Sequence, residues 1–183
     1  MPVGIHVGPW TEEDLVGLPD DGQRYELLEG ALLVNPPPGG RHQRVSLRLA
    51  GSLDAIAPDG LVVVEAMGVR IPGGSVLIPD VLVADRDAVL ANDSGILDPA
   101  VVRLVAEIVS PGSRTHDRLT KPALYAQAGI RSFWRLELDD GPVIHAYRLE
   151  GGTYVELATA RPGQCLELDE PFPVSLDPAD LAP

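Results

Sequence analysis

The pattern of apolar and polar positions divides the chain into short elements. Thr11-Glu12-Glu13-Asp14 has the form of a helix start, a capping hydroxyl followed by acids in the first turn. This helix ends near Gly17 or Pro19. Arg24–Leu28 and Ala31–Asn35 flank Glu29-Gly30 and predict a β-hairpin. Pro36-Pro37-Pro38-Gly39-Gly40 then breaks the pattern. Across residues 41–57, Val45, Leu49, Leu53 and Ile56 recur at helical spacing and predict an amphipathic helix. Arg41, Arg44 and Arg48 flank its apolar stripe, and His42 faces the protein body with it. Residues 61–66, 69–71, 76–84 and 101–109 are rich in Val, Ile and Leu and predict strands. Residues 115–128 have helical composition, interrupted by Pro122. Either the helix starts near Thr120 with Pro122 in its first turn, or it kinks before Pro122. Residues 131–138, 143–149 and 153–158 predict a closing set of antiparallel strands. The mixed order favours an α+β fold with a central sheet over regular βα alternation.

Composition sets the scale of that fold. The chain has 183 residues, 45% of them hydrophobic, enough for one domain with a sizeable core. Aromatic residues make up only 4%, so aliphatic side chains fill the interior. A single cysteine, Cys165, excludes an intrachain disulfide and a Cys-based zinc cluster. No basic region followed by an apolar run opens the sequence over residues 1–10, and no apolar stretch reaches membrane-spanning length. A soluble, cytoplasmic protein is expected.

Charge narrows the function. The net charge of −13 excludes a generic nucleic-acid coat, since non-specific binding depends on phosphate neutralisation. The acidity is concentrated in residues 137–183, which hold ten acids and two bases, leaving the first three quarters mildly acidic. A local phosphate site therefore remains compatible with the sequence. Of the 14 basic residues, thirteen are Arg and one is Lys, at Lys121.

The informative residues are carboxylates inside apolar runs. Asp80 sits within Val76-Leu-Ile-Pro-Asp-Val-Leu-Val-Ala84, and Glu107 within Val101-Val-Arg-Leu-Val-Ala-Glu-Ile-Val109. Asp is depleted in strands, and a buried carboxylate without a partner is costly. Two strands that each carry one carboxylate predict two acids on a shared sheet. Such a pair repels unless a cation or proton lies between them, and its hard oxygens suit Mg²⁺ or Mn²⁺. The blander readings are that Asp80 opens a turn after Pro79 and that Glu107 is a strand-end residue paired with an Arg. Glu65 shows the same pattern and reads equally well as structural. Beyond Glu107, Arg114, His116, Arg118 and Lys121 follow within a short span against one acid, Asp117. In a helix, Asp117, Lys121 and Tyr125 share one face, as a solvated ion pair or as a cation set beside two metal-binding acids.

Pro79-Asp80, Glu107-Ile108-Val109-Ser110-Pro111, the spaced Asp117, Lys121, Tyr125 and Gly129, and Phe133-Trp134 together resemble the Uma-type putative restriction endonucleases of the PD-(D/E)xK nuclease superfamily. Upstream, Arg24-Tyr25-Glu26-Leu27-Leu28-Glu29-Gly30 and His42 resemble the same family. The resemblance implies a restriction-endonuclease-like central mixed sheet flanked by helices, with added antiparallel C-terminal strands. It further implies one domain over residues 1–183, with a core at about 10–137 and acidic strands at about 138–183. Its activity would be metal-dependent phosphodiester hydrolysis, with DNA as substrate and a homodimer as the assembly. Carried over by position, Asp80 and Glu107 are the metal ligands, Glu26 adds a third carboxylate, and the Ile108 carbonyl completes the site. The family signature has Lys two residues after the Glu, where this chain has Val109, and the resemblance assigns that role to Lys121. Lys121 would orient or deprotonate the attacking water. His42, Arg44, Arg114 and Arg118, with Arg41 and Arg48, are candidates for water or phosphate contacts, or else solvated or packed polar residues. Two other readings compete: a catalytically silent nuclease-like module that binds protein partners, and a metal-dependent hydrolase of a small phosphate ester.

Overall fold

The computed structural model describes residues 7–19 and 21–183, and the counts that follow refer to these. The stretch read for a leader therefore lies mostly outside the described residues. Helix α1 (Glu12–Val16) starts on a reciprocal cap between Thr11 and Asp14. Strands β1 (Arg24–Leu28) and β2 (Ala31–Asn35) form the expected hairpin, with Glu29 and Gly30 both at positive φ. Helix α2 (Gly40–Asp54) buries Val45, Leu49 and Leu53. Ile56, assigned to the same stripe, lies beyond the helix end and is largely exposed.

The middle of the chain supplies β3 (Leu61–Glu65), β4 (Gly68–Ile71), β5 (Ser75–Leu77) and β6 (Val81–Asp85). The run at 76–84, read as one strand, is two strands in different sheets. Pro79 has no N–H to give a ladder, so the chain turns there, and Asp80 lies immediately before the second strand. Helix α3 (Arg86–Leu90), β7 (Ile96–Leu97) and β8 (Val102–Ile108) follow. His116–Thr120 forms a π-helical turn that runs into α4 (Lys121–Gln127), with Pro122 in the first turn of α4 as the first of the two alternatives required. The chain closes with β9 (Ser132–Glu137), β10 (Val143–Glu150), β11 (Thr153–Ala160), β12 (Leu166–Leu168) and β13 (Val174–Leu176).

The fold is α+β, but its strands form two principal sheets where one central sheet was expected. A five-stranded sheet has the order β2-β1-β5-β4-β7, and a six-stranded sheet the order β11-β10-β9-β8-β6-β3. β8 and β9 are parallel at the centre of the larger sheet, and its other pairs are antiparallel. Its two faces carry separate cores. Helix α2 and the C-terminal segment, through Leu166, Phe172 and Val174, cover one face. Helix α4 covers the other through Tyr125, against Val105 and Phe133. The acidic C-terminal strands thus complete the principal core and are not a detached appendage.

Leu49 has no solvent exposure and sits between α2 and the larger sheet. Leu49→Ala is expected to lower stability by about 2–5 kcal/mol through lost contacts and a residual cavity. Leu47→Ala, on the exposed side of the same helix, should change it by less than about 0.5 kcal/mol. Urea unfolding of both variants checks this contrast.

Candidate active site

Register brings the two suspect carboxylates together. Val81 pairs with Ala106 across β6 and β8, so the next step of the antiparallel ladder sets Asp80 opposite Glu107. Both are almost fully buried, at 5% and 2% exposure. Strand β1 of the other sheet contributes Arg24 and Glu26. Being two apart, their side chains leave the same face of the strand, and both line one cavity of about 390 Å³ with Asp80, Glu107 and Lys121.

Within this cavity every carboxylate is held. Asp80 accepts from the Arg24 guanidinium at 2.6 Å, the Ile108 amide at 2.8 Å and His42 Nε2 at 3.0 Å. Glu26 accepts from the Ile78 amide and Asn35 Nδ2, each at 2.7 Å. Lys121 Nζ lies 3.0 Å from Glu26 Oε1, 3.1 Å from Glu107 Oε1 and 3.2 Å from Glu107 Oε2. The Tyr125 hydroxyl donates to Glu107 Oε1 at 2.6 Å, and Ser113 donates to Asp117. Lys121 thus reaches the carboxylate it was expected to serve, although fourteen positions separate them. The π-helical turn ahead of α4 sets its phase, and Asp117, Lys121 and Tyr125 project to the same side.

The electrostatics follow from burial. Four carboxyl groups (Glu26, Asp80, Glu107 and Asp117) and two permanent cations (Arg24 and Lys121) line the cavity, so acids outnumber cations. Burial pushes the Glu107 carboxyl well above its ordinary range. Lys121 opposes this, while Asp80, Asp117 and Glu26 add to it. Asp117 is raised mainly by burial as well. Burial also acts on Asp80, but the hydrogen bond and charge of His42, the Ile108 amide and Lys121 outweigh it and hold Asp80 below the ordinary range. For Lys121, burial disfavours the ammonium, and the four carboxylates, Glu107 foremost, overcome this and raise it above a normal lysine. Lys121 is therefore a fixed cation at neutral pH.

An all-oxygen set of carboxyl donors that outnumber the cations fits a hard divalent cation, whose charge would favour their ionised form. Asp80 and Glu107 would hold it. The Ile108 carbonyl leaves the strand on the side of its amide, toward Asp80. As the side chains stand, no three His, Cys, Asp or Glu residues among the described ones are grouped to hold a metal ion. Arg24 and Lys121 occupy carboxylate oxygens instead.

The other expected contacts fall elsewhere. His42 lines the cavity but spends Nε2 on Asp80, and its buried Nδ1 has no partner. Arg114 pairs with Asp139, and Arg118 with Glu137 through two hydrogen bonds, so neither guanidinium is free for phosphate. Arg48 donates to the carbonyls of Asp180 and Ala182 and ties down the C-terminal segment. Arg41 and Arg44 are exposed on α2 and have no ion-pair partner among the described residues. Glu65 accepts from Ser46 on α2 at 2.7 Å, a structural role. Arg24, Asn35 and Ser113 were not singled out individually. The Arg-x-Glu spacing at 24–26 is the signal that identifies the first, and hairpin register, which pairs Asn35 with Arg24, the second.

Glu107 binds a proton more readily folded than unfolded, so between its ordinary value of 4.5 and its raised value it makes stability fall as pH rises. With chelator present, the melting temperature of Glu107→Gln relative to that of the unmodified chain is expected to rise from about pH 5 to about pH 8, because the substitution removes this titration. A relative melting temperature that stays flat or falls over this range would contradict the raised carboxyl. Thermal melts at the two pH values check the trend.

Comparison with known proteins agrees with this architecture. The backbone is similar to the crystal structure of a putative nuclease belonging to DUF820 from Anabaena variabilis ATCC 29413, with a TM-score of 0.72 and 16% identity, covering 94% of this chain and 97% of that one. At this identity the likeness establishes a shared fold. No curated protein matches the chain. The model of the Uma2 family, described as putative restriction endonuclease, matches residues 12–182, and the chain belongs to that family.

Proposed function

We propose that the chain is a divalent-metal-dependent endonuclease that hydrolyses phosphodiester bonds in DNA, acting as a cytoplasmic homodimer built from one nuclease domain over residues 1–183. The observation that carries this reading is Lys121 Nζ within 3.2 Å of both Glu26 and Glu107, in the cavity that also receives Asp80. A lysine on the helix after the motif strand supplies the cation that Val109 does not.

When bound, Mg²⁺ or Mn²⁺ supplies a Lewis acid for the phosphoryl oxygen and an activated water. Asp80 and Glu107 would hold the ion with the Ile108 carbonyl, and Asn35 and the Ile78 amide fix Glu26 so that it holds Lys121 in place. Because the surrounding carboxylates keep it protonated, Lys121 does not act as the base. It orients the water and stabilises charge developing on the phosphorane. His42 and Arg24 hold the Asp80 carboxylate, and His42 need not touch the phosphate.

The catalytically silent reading draws on one observation, the absence among the described residues of a ready three-residue metal cluster. Cleavage of plasmid and single-stranded DNA with Mg²⁺ or Mn²⁺ separates the two. Unmodified protein should cleave, and Asp80→Ala should lose all detectable activity. Metal-independent cleavage, or cleavage surviving in Asp80→Ala, contradicts the mechanism. Lys121→Arg keeps the charge but replaces a compact ammonium with a planar fork, and a loss of at least about 100-fold is expected. A fully active Lys121→Arg protein would remove Lys121 from the mechanism.

A further inference from the structure

A second cavity, of about 330 Å³, lies behind the first. The segment at 116–123 separates them. Asp117, Thr120 and Lys121 line the first cavity, and Arg118, Pro122 and Ala123 line the second. The width of one helix, about 10 Å, therefore divides the two spaces, a span that a few nucleotides of extended strand can cross.

The second cavity is built on the face of the larger sheet from three adjacent strands. Phe133 on β9 pairs in register with Tyr147 on β10, their ring centroids 5.6 Å apart and nearly parallel. Tyr154 on β11 lies 5.3 Å from Phe133, and its hydroxyl donates to the Ile130 carbonyl, which fixes the ring. Together with Tyr125, half of the eight aromatic residues of the chain gather at this face. Tyr125 and Phe133 are fully buried and serve packing, as do Trp134 and Phe172 in the other core. Tyr147 and Tyr154 are only half-buried. Charge is equally local. Arg118 and Arg135 share the single carboxylate of Glu137, and the Arg135 guanidinium also lies 5.5 Å from the centre of the Tyr147 ring. Two arginines and no acid line the cavity, on a chain of net charge −13, while Glu137 and Glu156 flank it at Arg118, Arg135 and Tyr147. Aromatic faces beside arginines accept unpaired bases, which expose π-surfaces that a duplex keeps stacked.

The first cavity points the same way. Its carboxylates lie at its base, at 5% exposure or less, among apolar walls that include Leu28, Leu33 and Pro36. Its volume is at the low end for small-ligand sites, roughly 300–1,000 Å³. A strand that leaves its duplex can deliver a phosphodiester into such a space, as enzymes that act on extruded nucleotides require.

We propose that the second cavity is a stacking subsite for an unpaired nucleobase of the strand whose phosphodiester enters the first cavity, so that the substrate is single-stranded or frayed nucleic acid and not intact duplex. This rests on the nuclease reading above. Fluorescence anisotropy tests it with a labelled single-stranded oligothymidylate and a labelled hairpin duplex, both in chelator so that binding is read without cleavage. The unmodified chain is expected to bind the single strand at least about tenfold more tightly. Tyr147→Leu should lose on the order of tenfold in that affinity, the low end for one stacked base, while Tyr147→Phe keeps it and both variants melt as the unmodified chain does. The salt slope should be shallow, near −1.4 or about two phosphates' worth on a single strand, against roughly −5 for a duplex tracked over six. Equal or tighter binding of the duplex, no binding of either probe, or a Tyr147→Leu protein that binds as the unmodified chain does overturns the proposal. Single-strand binding that depends on Tyr147, without metal-dependent cleavage, would instead sink the nuclease reading and leave the subsite standing.

Discussion

A buried ammonium between two carboxylates organises this molecule. Glu26 comes from the five-stranded sheet, Glu107 from the six-stranded sheet and Lys121 from helix α4, so one cation joins three parts of the fold. Burial of each group alone would cost several kcal/mol. The Ile78 amide, Asn35 and the Tyr125 hydroxyl satisfy the remaining oxygens and make burial tolerable. Asp80 sits where the chain passes from one sheet to the other and is held in the same way by Arg24, His42 and the Ile108 amide. The junction of the two sheets and the candidate active site are therefore the same place. Geometry at the site is fixed by the packing that holds the sheets together.

Much of this was legible in the sequence because burial of charge leaves a local mark. Asp80 and Glu107 each interrupt an aliphatic run, and that conflict with strand composition pointed to a shared sheet, which the β6–β8 register bears out. The lone lysine among thirteen arginines singled out Lys121. Capping at Thr11, the hairpin turn at Glu29-Gly30 and the apolar spacing of α2 are likewise short-range signals. What escaped was long-range. Pro79 marked a break, but nothing local says that β5 and β6 belong to different sheets. Arg114, Arg118 and Arg48 resemble free cations until Asp139, Glu137 and the C-terminal carbonyls come alongside them. The aromatic wall of the second cavity is assembled from Phe133, Tyr147 and Tyr154 on three strands, and no spacing within any one strand announces it.

Ion pairing also bears on the tension between an acidic chain and the nucleic-acid substrate proposed for it. Most of the cations are spent inside the structure, on Asp80, Glu107, Glu12, Asp85, Asp139, Glu137 and Glu150. A protein with so few unpaired cations cannot rely on phosphate neutralisation along a duplex. On the proposed function, recognition would rest on a small number of enclosed contacts, and the chemistry on a cavity whose carboxylates would hold a divalent cation.

On the proposed function, Asp80 and Glu107 exchange protein cations for a metal ion while Lys121 stays in place. A crystal soaked with Mn²⁺ and measured for anomalous scattering tests it most directly. The account predicts a peak about 2.1 Å from oxygens of Asp80 and Glu107, with Lys121 still bonded to Glu26. A crystal with no such peak, in which Arg24 remains on Asp80 and Lys121 on Glu107, would contradict it.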